Sequence, residues 1–260
     1  DGTVKQKSGV LPPRFSLSSQ LGFGVTGSYY YAIDPAQDAT LSVRVFSKEN
    51  PMLLGEYRRL YKDAKLDLKG SVIQSNDADR LRGHLFGNGI WDIDKNWRAG
   101  INTQITSDDK YLRHFDFSTD GVLKNEIYAE RFDDRDYFVT RAVAFQDVRV
   151  SNRLTDQPNI LPEAQASFMG DPNGLLGGRW DVDMSVLDIV RKGNGQDVLR
   201  LAGSAGWERR DVSSLGLVNK VRLNAATASY QISDRDESSM VGRSGGAPAF
   251  SFYPMLHDEL

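Results

Sequence analysis

The sequence has no cysteine, only three histidines and no uninterrupted apolar run long enough to cross a membrane as a helix. Without cysteine the chain can form neither disulfides nor thiolate metal sites. Its 32 basic and 35 acidic side chains nearly cancel, leaving a net charge of -3. Such a balanced charge gives no field that would attract nucleic acid, so we expect no nucleic-acid partner. The 260 residues are enough to bury a sizeable core in one or two domains.

Two neighbouring segments alternate between apolar or small residues and polar ones, the first from Leu81 to Ile93 and the second from Trp97 to Ile105. Successive side chains of a strand point to opposite faces, so each segment predicts a strand with one apolar or small face and one mostly polar face. The sequence Asp94-Lys95-Asn96 between them is typical of a turn. The pair therefore predicts an antiparallel hairpin.

Strand-like segments of this kind recur along most of the chain, joined by turns or polar loops. Ser107–Asp120 and Asp234–Ala247 are predicted loops, while 53–61 and 186–192 fit a helix as well as a strand. Because most neighbours are joined as hairpins, we predict an all-β fold, an antiparallel up-and-down sheet of about a dozen strands. The predicted strands lie at 15–33, 39–46, 53–61, 64–72, 81–93, 97–105, 123–132, 137–145, 163–168, 180–186, 199–208 and 221–232, with one more beginning near Phe250.

The pattern alone fits a soluble β-sandwich binding module as well as the wall of an outer-membrane β-barrel. Two features favour the barrel. The polar faces carry many full charges, as the lumen of a wide barrel would, and the apolar faces hold small residues. The tryptophans also form level pairs on those apolar faces, as in the aromatic girdle of a membrane barrel. The predicted girdle consists of Trp91, Trp97, Trp180 and Trp207. We predict an extended lead-in at 1–14 and a transmembrane barrel portion at 15–260.

Short motifs for other functions lack the context that their chemistry requires. Gly22-Phe23-Gly24-Val25-Thr26-Gly27 spells a dinucleotide fingerprint, but a β-prone run of tyrosines follows instead of a helix. The segment beginning at Asp92 starts like a calcium loop, yet Trp97 stands where that loop requires glycine. The last four residues match an endoplasmic-reticulum retrieval signal, which fits nothing else in the sequence.

The charged and titratable residues predict no catalytic or metal site. The acid clusters at 133–136 and 234–237 are typical of solvated turns, although a surface cation at either stays an alternative. The three histidines are scattered, and His84 lies on a polar strand face, where it would pack in the lumen. Catalytic triads are recognised by the geometry of their side chains, so the spacing of residues along the sequence does not identify one here. We therefore expect no enzyme activity and no cofactor.

An ordered series of short segments resembles the LPS-assembly protein LptD family. The series begins with Thr3-Val4-Lys5-Gln6-Lys7-Ser8-Gly9, then Gly22-Phe23-Gly24-Val25, then Tyr29-Tyr30-Tyr31-Ala32-Ile33-Asp34-Pro35 and Asp38-Ala39-Thr40-Leu41. Leu53-Leu54-Gly55-Glu56-Tyr57-Arg58 and Asp94-Lys95-Asn96-Trp97-Arg98 are similar to later hairpins of the family. The order of these segments is more specific than any one of them, and the likeness is clearest in the first hundred or so residues.

The resemblance implies a large barrel in the outer membrane of a Gram-negative bacterium that receives lipopolysaccharide from a periplasmic bridge. It also implies an LptE-like lipoprotein plug inside the barrel, and sideways release of lipid into the outer membrane through a seam between the first and last strands. The periplasmic jelly roll and the aromatic-ended last strand of the family have no counterpart in this sequence. The resemblance therefore implies that the chain is roughly the N-terminal half of the barrel domain, with 1–14 leading in from the missing periplasmic domain. A general porin or another outer-membrane barrel is the alternative function.

The resemblance also directs attention to the start of the barrel. Members often have a proline in each of the first two strands, which removes ladder hydrogen bonds. We interpret Gly27 and Val43 as standing at those places, so that either glycines loosen the seam instead or the seam is firmer than usual. The predicted first strand, Gly22 to Ile33, is then the lateral gate. Its gate residues are Gly22, Gly24, Gly27, Tyr29, Tyr30 and Tyr31.

Overall fold

In a computed structural model, residues 7–76, 80–150, 157–191, 196–233 and 241–255 are described, the last range by its backbone. These residues form fourteen antiparallel strands whose order in the sheet follows the chain, which confirms the all-β, up-and-down prediction. None of the helices in these ranges has the length and apolar character needed to span a membrane. The strands are β1 (Gly9–Ser18), β2 (Gly22–Asp34), β3 (Gln37–Phe46), β4 (Met52–Leu60), β5 (Ala64–Ser75), β6 (Arg80–Asp92), β7 (Trp97–Thr106), β8 (Val122–Asp133), β9 (Asp136–Asp147), β10 (Asn159–Met169), β11 (Arg179–Val190), β12 (Asp197–Val212), β13 (Val218–Ser233) and β14 (Val241–Met255).

The chain divides into two units, and the first consists of 1–127 with 144–157. Its β6–β7 hairpin is the one predicted, because the Asp94 carboxylate accepts hydrogen bonds from the backbone N–H groups of Asn96 and Trp97, at 2.7 and 2.8 Å. On one face, which we call the outer face, apolar side chains such as Ile101 (46% exposed) stand open. The opposite, inner face carries the alternate residues, among them Asn102 and the buried Arg82.

The inner face of the first unit is covered in part by the segment between β7 and β8. This segment contains a four-residue helix, α1 (Tyr111–His114), and its apolar side chains are buried. We predicted a polar loop for Ser107–Asp120, and this prediction is wrong for its centre. The apolar residues there are too few for a periodic pattern, yet they pack together with strand and turn residues. The cluster consists of Leu21, Phe46, Met52, Ile73, Tyr111, Leu112, Phe115, Leu123 and Val148.

The second unit consists of 128–143 with 158–260. Its central pair, β11 and β12, places Trp180 directly opposite Trp207. The segment 186–190 stays in strand β11, which excludes the helical alternative for those residues. The loop predicted at 234–247 is wrong from residue 241 onward, where β14 pairs residue by residue with β13. The long β13 offers an edge along which even a glycine- and serine-rich segment can form a ladder.

The start of the chain also differs from the prediction. The segment predicted as one strand at 15–33 forms two, with a turn after Ser18, and β1 already begins at Gly9 within the predicted lead-in. Strand β2 pairs with β1 on one side and with β3 on the other. The ambiguous segment 53–61 is a strand over most of its length, as part of β4. The acid cluster at 234–237 and the last four residues lie outside the described residues.

Candidate functional site

The first strand contains an irregularity at its two adjacent prolines. Leu11 pairs with Ser28 and Arg14 with Thr26, so Pro12 and Pro13 together face the single residue Gly27. This is a β-bulge, with one extra residue on β1. Proline has no N–H to donate, so the ladder between β1 and β2 loses donors at this point. The first strand is therefore weakly held over its middle.

The residues that we predicted as a gate lie on the second strand, which corrects our choice of Gly22–Ile33 as the first. Gly22 has φ +74°, which favours glycine, and a side chain added there would overlap Ser47. A Cβ on Gly24 would lie 2.5 Å from the Ser16 hydroxyl oxygen, whereas Gly27 has open space around it. Close approach of the Ser47 and Ser16 side chains thus explains Gly22 and Gly24, and Gly27 faces the bulge.

The three tyrosines of β2 alternate between the two faces. Tyr29 and Tyr31 are exposed on the outer face, and Tyr30 lies on the inner face. Our interpretation of Val43 as a substitute for a proline of the first two strands is also wrong, because Val43 lies on β3, whereas Gly27 lies on β2. The first strand carries prolines of its own, Pro12 and Pro13, which lie between Leu11 and Arg14. The prediction from sequence was wrong here because it treated β1 and β2 as one strand.

The outer face of β1 is strongly apolar. Phe15 is 66% exposed and Leu17 85% exposed, and the Phe15 ring stacks on Phe23 of β2 with the ring centroids 6.1 Å apart. Large exposed apolar side chains on consecutive outward positions are costly in water and favourable in lipid. The same strand carries Arg14 and Ser16 on its inner face, where Arg14 pairs with Thr26.

The segment around α1 is fixed to the inner face by polar contacts as well as by packing. Arg82 of β6 donates to both carboxylate oxygens of Asp108, each at 2.8 Å. Its guanidinium also lies over the rings of Tyr111 and Phe115, at 5.4 and 5.7 Å. Burial acts to raise the pKa of Asp108, but hydrogen bonds from Arg82 and Ser107 and the Arg82 charge outweigh it and lower that pKa to about 2.

A hydrogen-bonded chain of three side chains joins the segment to the neighbouring strands. The Ser71 hydroxyl lies 2.6 Å from His84 Nδ1 and 2.6 Å from the Tyr111 hydroxyl. His84 also packs against Phe86 and Phe117, with ring centroids at 4.7 and 4.2 Å. The predicted packing role of His84 on the inner face is confirmed, and the partners that surround it come from a segment that the sequence pattern did not reveal.

Comparison with known proteins identifies the family. The family model for LptD, LPS transport system D, matches residues 80–247. The chain belongs to this family. The LPS-assembly protein LptD of Pseudomonas putida (strain GB-1) is 26% identical over 244 residues, which cover 85% of this chain and 26% of that protein. The LptD proteins of Xanthomonas euvesicatoria and Xylella fastidiosa (strain Temecula1) are 30% and 31% identical over 45% and 43% of the chain. The chain thus spans about a quarter of the length of the first of these relatives.

Membership of the LptD family confirms the predicted resemblance and places the chain in the outer membrane of a Gram-negative bacterium. The family is one of transport and assembly proteins. The sequence Gly22–Gly27, which spells a dinucleotide fingerprint, lies within strand β2, and the strand continues after it to Asp34 instead of a helix. Nor do any three histidine or acidic side chains of the described residues come together as metal ligands would. The acid cluster at 133–136 forms the tight β8–β9 turn.

The four tryptophans lie on two neighbouring strand pairs. Trp91 and Trp97 flank the β6–β7 turn, and Trp180 near the start of β11 lies directly opposite Trp207 of β12. The Trp207 indole N–H donates to the Leu175 carbonyl oxygen at 2.9 Å. The pairing of Trp180 with Trp207 is as predicted, whereas Trp91 lies opposite Ala99, two residues from Trp97. The role of all four as a membrane girdle stays a prediction.

Proposed function

We propose that this chain forms part of the wall of an outer-membrane barrel that inserts lipopolysaccharide into the outer leaflet. The lipid would leave sideways through a seam beside β1. The observation that carries this proposal is the proline bulge of β1 opposite Gly27. A strand with missing ladder donors separates from its neighbours at lower cost than a regular strand. The names of the relatives, which are LPS-assembly proteins, support lipopolysaccharide as the substrate.

The lengths of the connections support an orientation in the membrane. The turns after β2, β4, β6 and β8 are short, whereas the segments after β7 and β9 are long. Outer-membrane barrels have short periplasmic turns and longer extracellular loops. We therefore infer that the chain enters β1 from the periplasm. A preceding periplasmic domain could then receive lipopolysaccharide from the bridge component, and α1 would lie at the extracellular end.

The seam is assigned to β1, one strand earlier than the sequence suggested. One edge of β1 pairs with β2, and in the described part of the chain its other edge has no partner. In the complete barrel that edge would meet the last strand. Gly22, Gly24, Gly27 and the tyrosines of β2 then support the gate strand and do not form the seam themselves. Outward Phe15 and Leu17 would contact the acyl chains of the passing lipid.

The inner face of the second unit supports the proposal of an LptE-like plug. Ser204 and Ala226 pair across β12 and β13, and Ala202 and Ala228 form the next pair on the same face. Small side chains let another backbone approach closely, as a tightly seated plug requires. These small residues therefore make the second unit the better candidate contact for the lipoprotein. No catalytic residue or cofactor is part of the proposal.

A disulfide across the seam tests the proposal in the full-length protein. A cysteine replacing Ser16 on β1 and another on the last strand should block lipopolysaccharide delivery until a reductant is added. The matched control is the pair Phe15→Cys and Val25→Cys, which face each other across β1 and β2. This control crosslinks the same strand without closing the seam. Normal delivery by the fully crosslinked, plugged seam variant would contradict the proposal, and a general porin would leave surface lipopolysaccharide unchanged on depletion.

A further inference from the structure

A cavity of about 590 Å³ lies between the inner face of the first strands and the segment around α1. Its floor crosses three strands in register, because Arg14 of β1 pairs with Thr26 of β2, and Thr26 pairs with Arg44 of β3. Its opposite wall consists of Arg113, His114, Phe115 and Asp116. All these residues belong to the first unit.

Two arginines of this cavity, Arg14 and Arg44, differ from several other arginines of the inner face. Arg58, Arg82, Arg98 and Arg141 each form an ion pair with an acidic side chain. By contrast, neither Arg14 nor Arg44 forms an ion pair within the part of the chain that the structure describes. Arg44 donates from Nε to the Thr26 hydroxyl oxygen at 3.2 Å, and this is its one hydrogen bond to the described residues. Its two terminal nitrogens therefore remain available to a ligand.

The charges in the cavity sum to an excess of positive charge. Arg14, Arg44 and Arg113 contribute three positive charges, and Asp116 contributes one negative charge. Arg14 repels the Arg44 charge, while Asp116 attracts it. Bringing like charges together costs free energy, and a bound anion would offset that cost. The planar guanidinium groups match the oxygens of a phosphate group, to which they can donate pairs of hydrogen bonds.

We propose that this cavity binds a phosphate group on the headgroup of the exported lipid. The excess positive charge and the guanidinium groups favour a phosphorylated ligand. The identification of this ligand as a lipopolysaccharide headgroup rests on the proposed function. Two further observations support a lipid as the source. The cavity is at the end of the long connections, where the headgroups of the outer leaflet lie. Strand β1 also presents Arg14 inward and Phe15 outward, so that an amphiphile at this strand would meet both kinds of surface.

Arg44 also has a packing contact, because its guanidinium lies 5.7 Å from the centre of the Phe117 ring. A purely structural role would make its replacement affect folding and leave phosphate recognition unchanged. The test must therefore separate the two roles. Asp116 allows this separation because it lies in the left-handed region, with φ 61°, which asparagine adopts readily. Replacing it with asparagine removes the opposing charge and keeps the backbone geometry.

The experiment titrates the full-length detergent-purified protein with a lipid A carrying both phosphates and with the same lipid after removal of both. The unmodified protein should bind the phosphorylated lipid about tenfold or more tightly than the other. Arg14→Gln with Arg44→Gln should abolish this preference, and Asp116→Asn should strengthen it. Arg58→Gln is the matched control, since Arg58 lies on the same inner face at the opposite end and is paired with Asp38.

A gain of affinity in Asp116→Asn cannot come from misfolding, so it keeps the test decisive if the double variant folds poorly. Competition by millimolar inorganic phosphate would support a site that recognises phosphate alone, and its absence would support recognition of the lipid headgroup. Equal affinity for the two lipids, or an unchanged preference in both the double variant and Asp116→Asn, would overturn the proposal. Surface lipopolysaccharide after depletion is measured separately. Failure of the export function would therefore be distinguished from failure of the phosphate site.

Discussion

The inner faces of the two units are built differently, although their outer faces are alike. In the first unit a segment of the chain folds back and buries Tyr111, Leu112 and Phe115 against the strands. In the second unit the inner face over β10–β13 is lined by small and polar residues such as Ala202 and Ser204. The first face is thus filled by the chain itself, and the second leaves room for another molecule. On the proposed function, the first unit would be stiffened by its own chain and the plug would contact the second unit.

The largest expected effect comes from removing the buried core of the first unit. Phe115→Ala should lower the free energy of unfolding by about 3–5 kcal/mol, because it leaves a cavity in a packed cluster. The matched change on the inner face of the second unit, Tyr137→Ala, should cost less than half as much, since Tyr137 is only half-buried. Unfolding in detergent, followed by tryptophan fluorescence, measures both. Equal costs would mean that the two faces do not differ in packing.

The next effect tests the likeness of the outer faces. Ile101 in the first unit is 46% exposed and Met184 in the second is 55% exposed, and both lie on the outer face. An arginine at either position would face lipid and should cost about 2–4 kcal/mol near the midplane. Asn102→Arg, on the inner face, should cost little. Folding into lipid vesicles, read as heat-modifiable gel mobility, compares the three variants. A cost at Asn102 equal to that at Ile101 would contradict the assignment of the faces.

A third effect depends on pH and should occur in the first unit. The pKa of Asp108 is lowered to about 2 in the folded state, against about 3.9 in an unfolded chain. The stabilisation is therefore present above pH 4 and is lost as the pH falls from about 4 to 2, at a cost on the order of 2 kcal/mol. Asp108→Asn should remove this dependence, which denaturant titrations between pH 2 and 5 would measure. An unchanged pH profile in this variant would contradict the role of Asp108.

The sequence predicted the parts of this fold that depend on alternation. The β6–β7 hairpin, with its turn at Asp94 and its two faces, follows directly from side chains that alternate along a strand. The buried segment around α1 could not be found in this way, because Tyr111, Leu112 and Phe115 form no repeat. Their burial depends on where Arg82 and Ser71 of other strands lie, and a local pattern holds no information about such distant partners.

The candidate gate was only partly predictable for a related reason. The sequence drew attention to the glycines at the start of the barrel, and Gly27 does face the irregular part of β1. The prolines at 12 and 13 were interpreted as a lead-in because proline disfavours a paired strand. In the structure they are accommodated in a bulge at the edge of the described sheet, where a missing donor is tolerated. The strand boundary was therefore placed too late, and the segment predicted as the first strand is the second. Its role as a gate stays a prediction.

Among the described residues, each unit has a bulge that contains proline, and comparing the two bulges leads to the smallest predicted effect. The bulge of β10, between Ile160 and Glu163, lies in a strand that pairs on both sides. It is adjacent to Glu163, which accepts two hydrogen bonds from Arg141, at 2.7 and 3.0 Å. The bulge of β1 pairs only with β2 in the described residues and faces Gly27, which has open space around it. The β1 bulge should therefore open more readily.

Valine at Gly27 should reduce this difference. A strand-interior glycine costs about 0.5–1 kcal/mol relative to a residue with a side chain, and valine favours strands. Gly27→Val should thus slow amide hydrogen exchange in β1 several-fold and, on the proposed function, slow lipopolysaccharide delivery without hindering assembly. Gly24→Val is the contrasting change, because its Cβ would meet the Ser16 hydroxyl oxygen at 2.5 Å and strain the same strand pair. Exchange in β10 is the internal reference and should not change. If Gly27→Val left exchange in β1 unaltered, the open space at the bulge would not be what weakens this strand, and the lost proline donors alone would have to account for it.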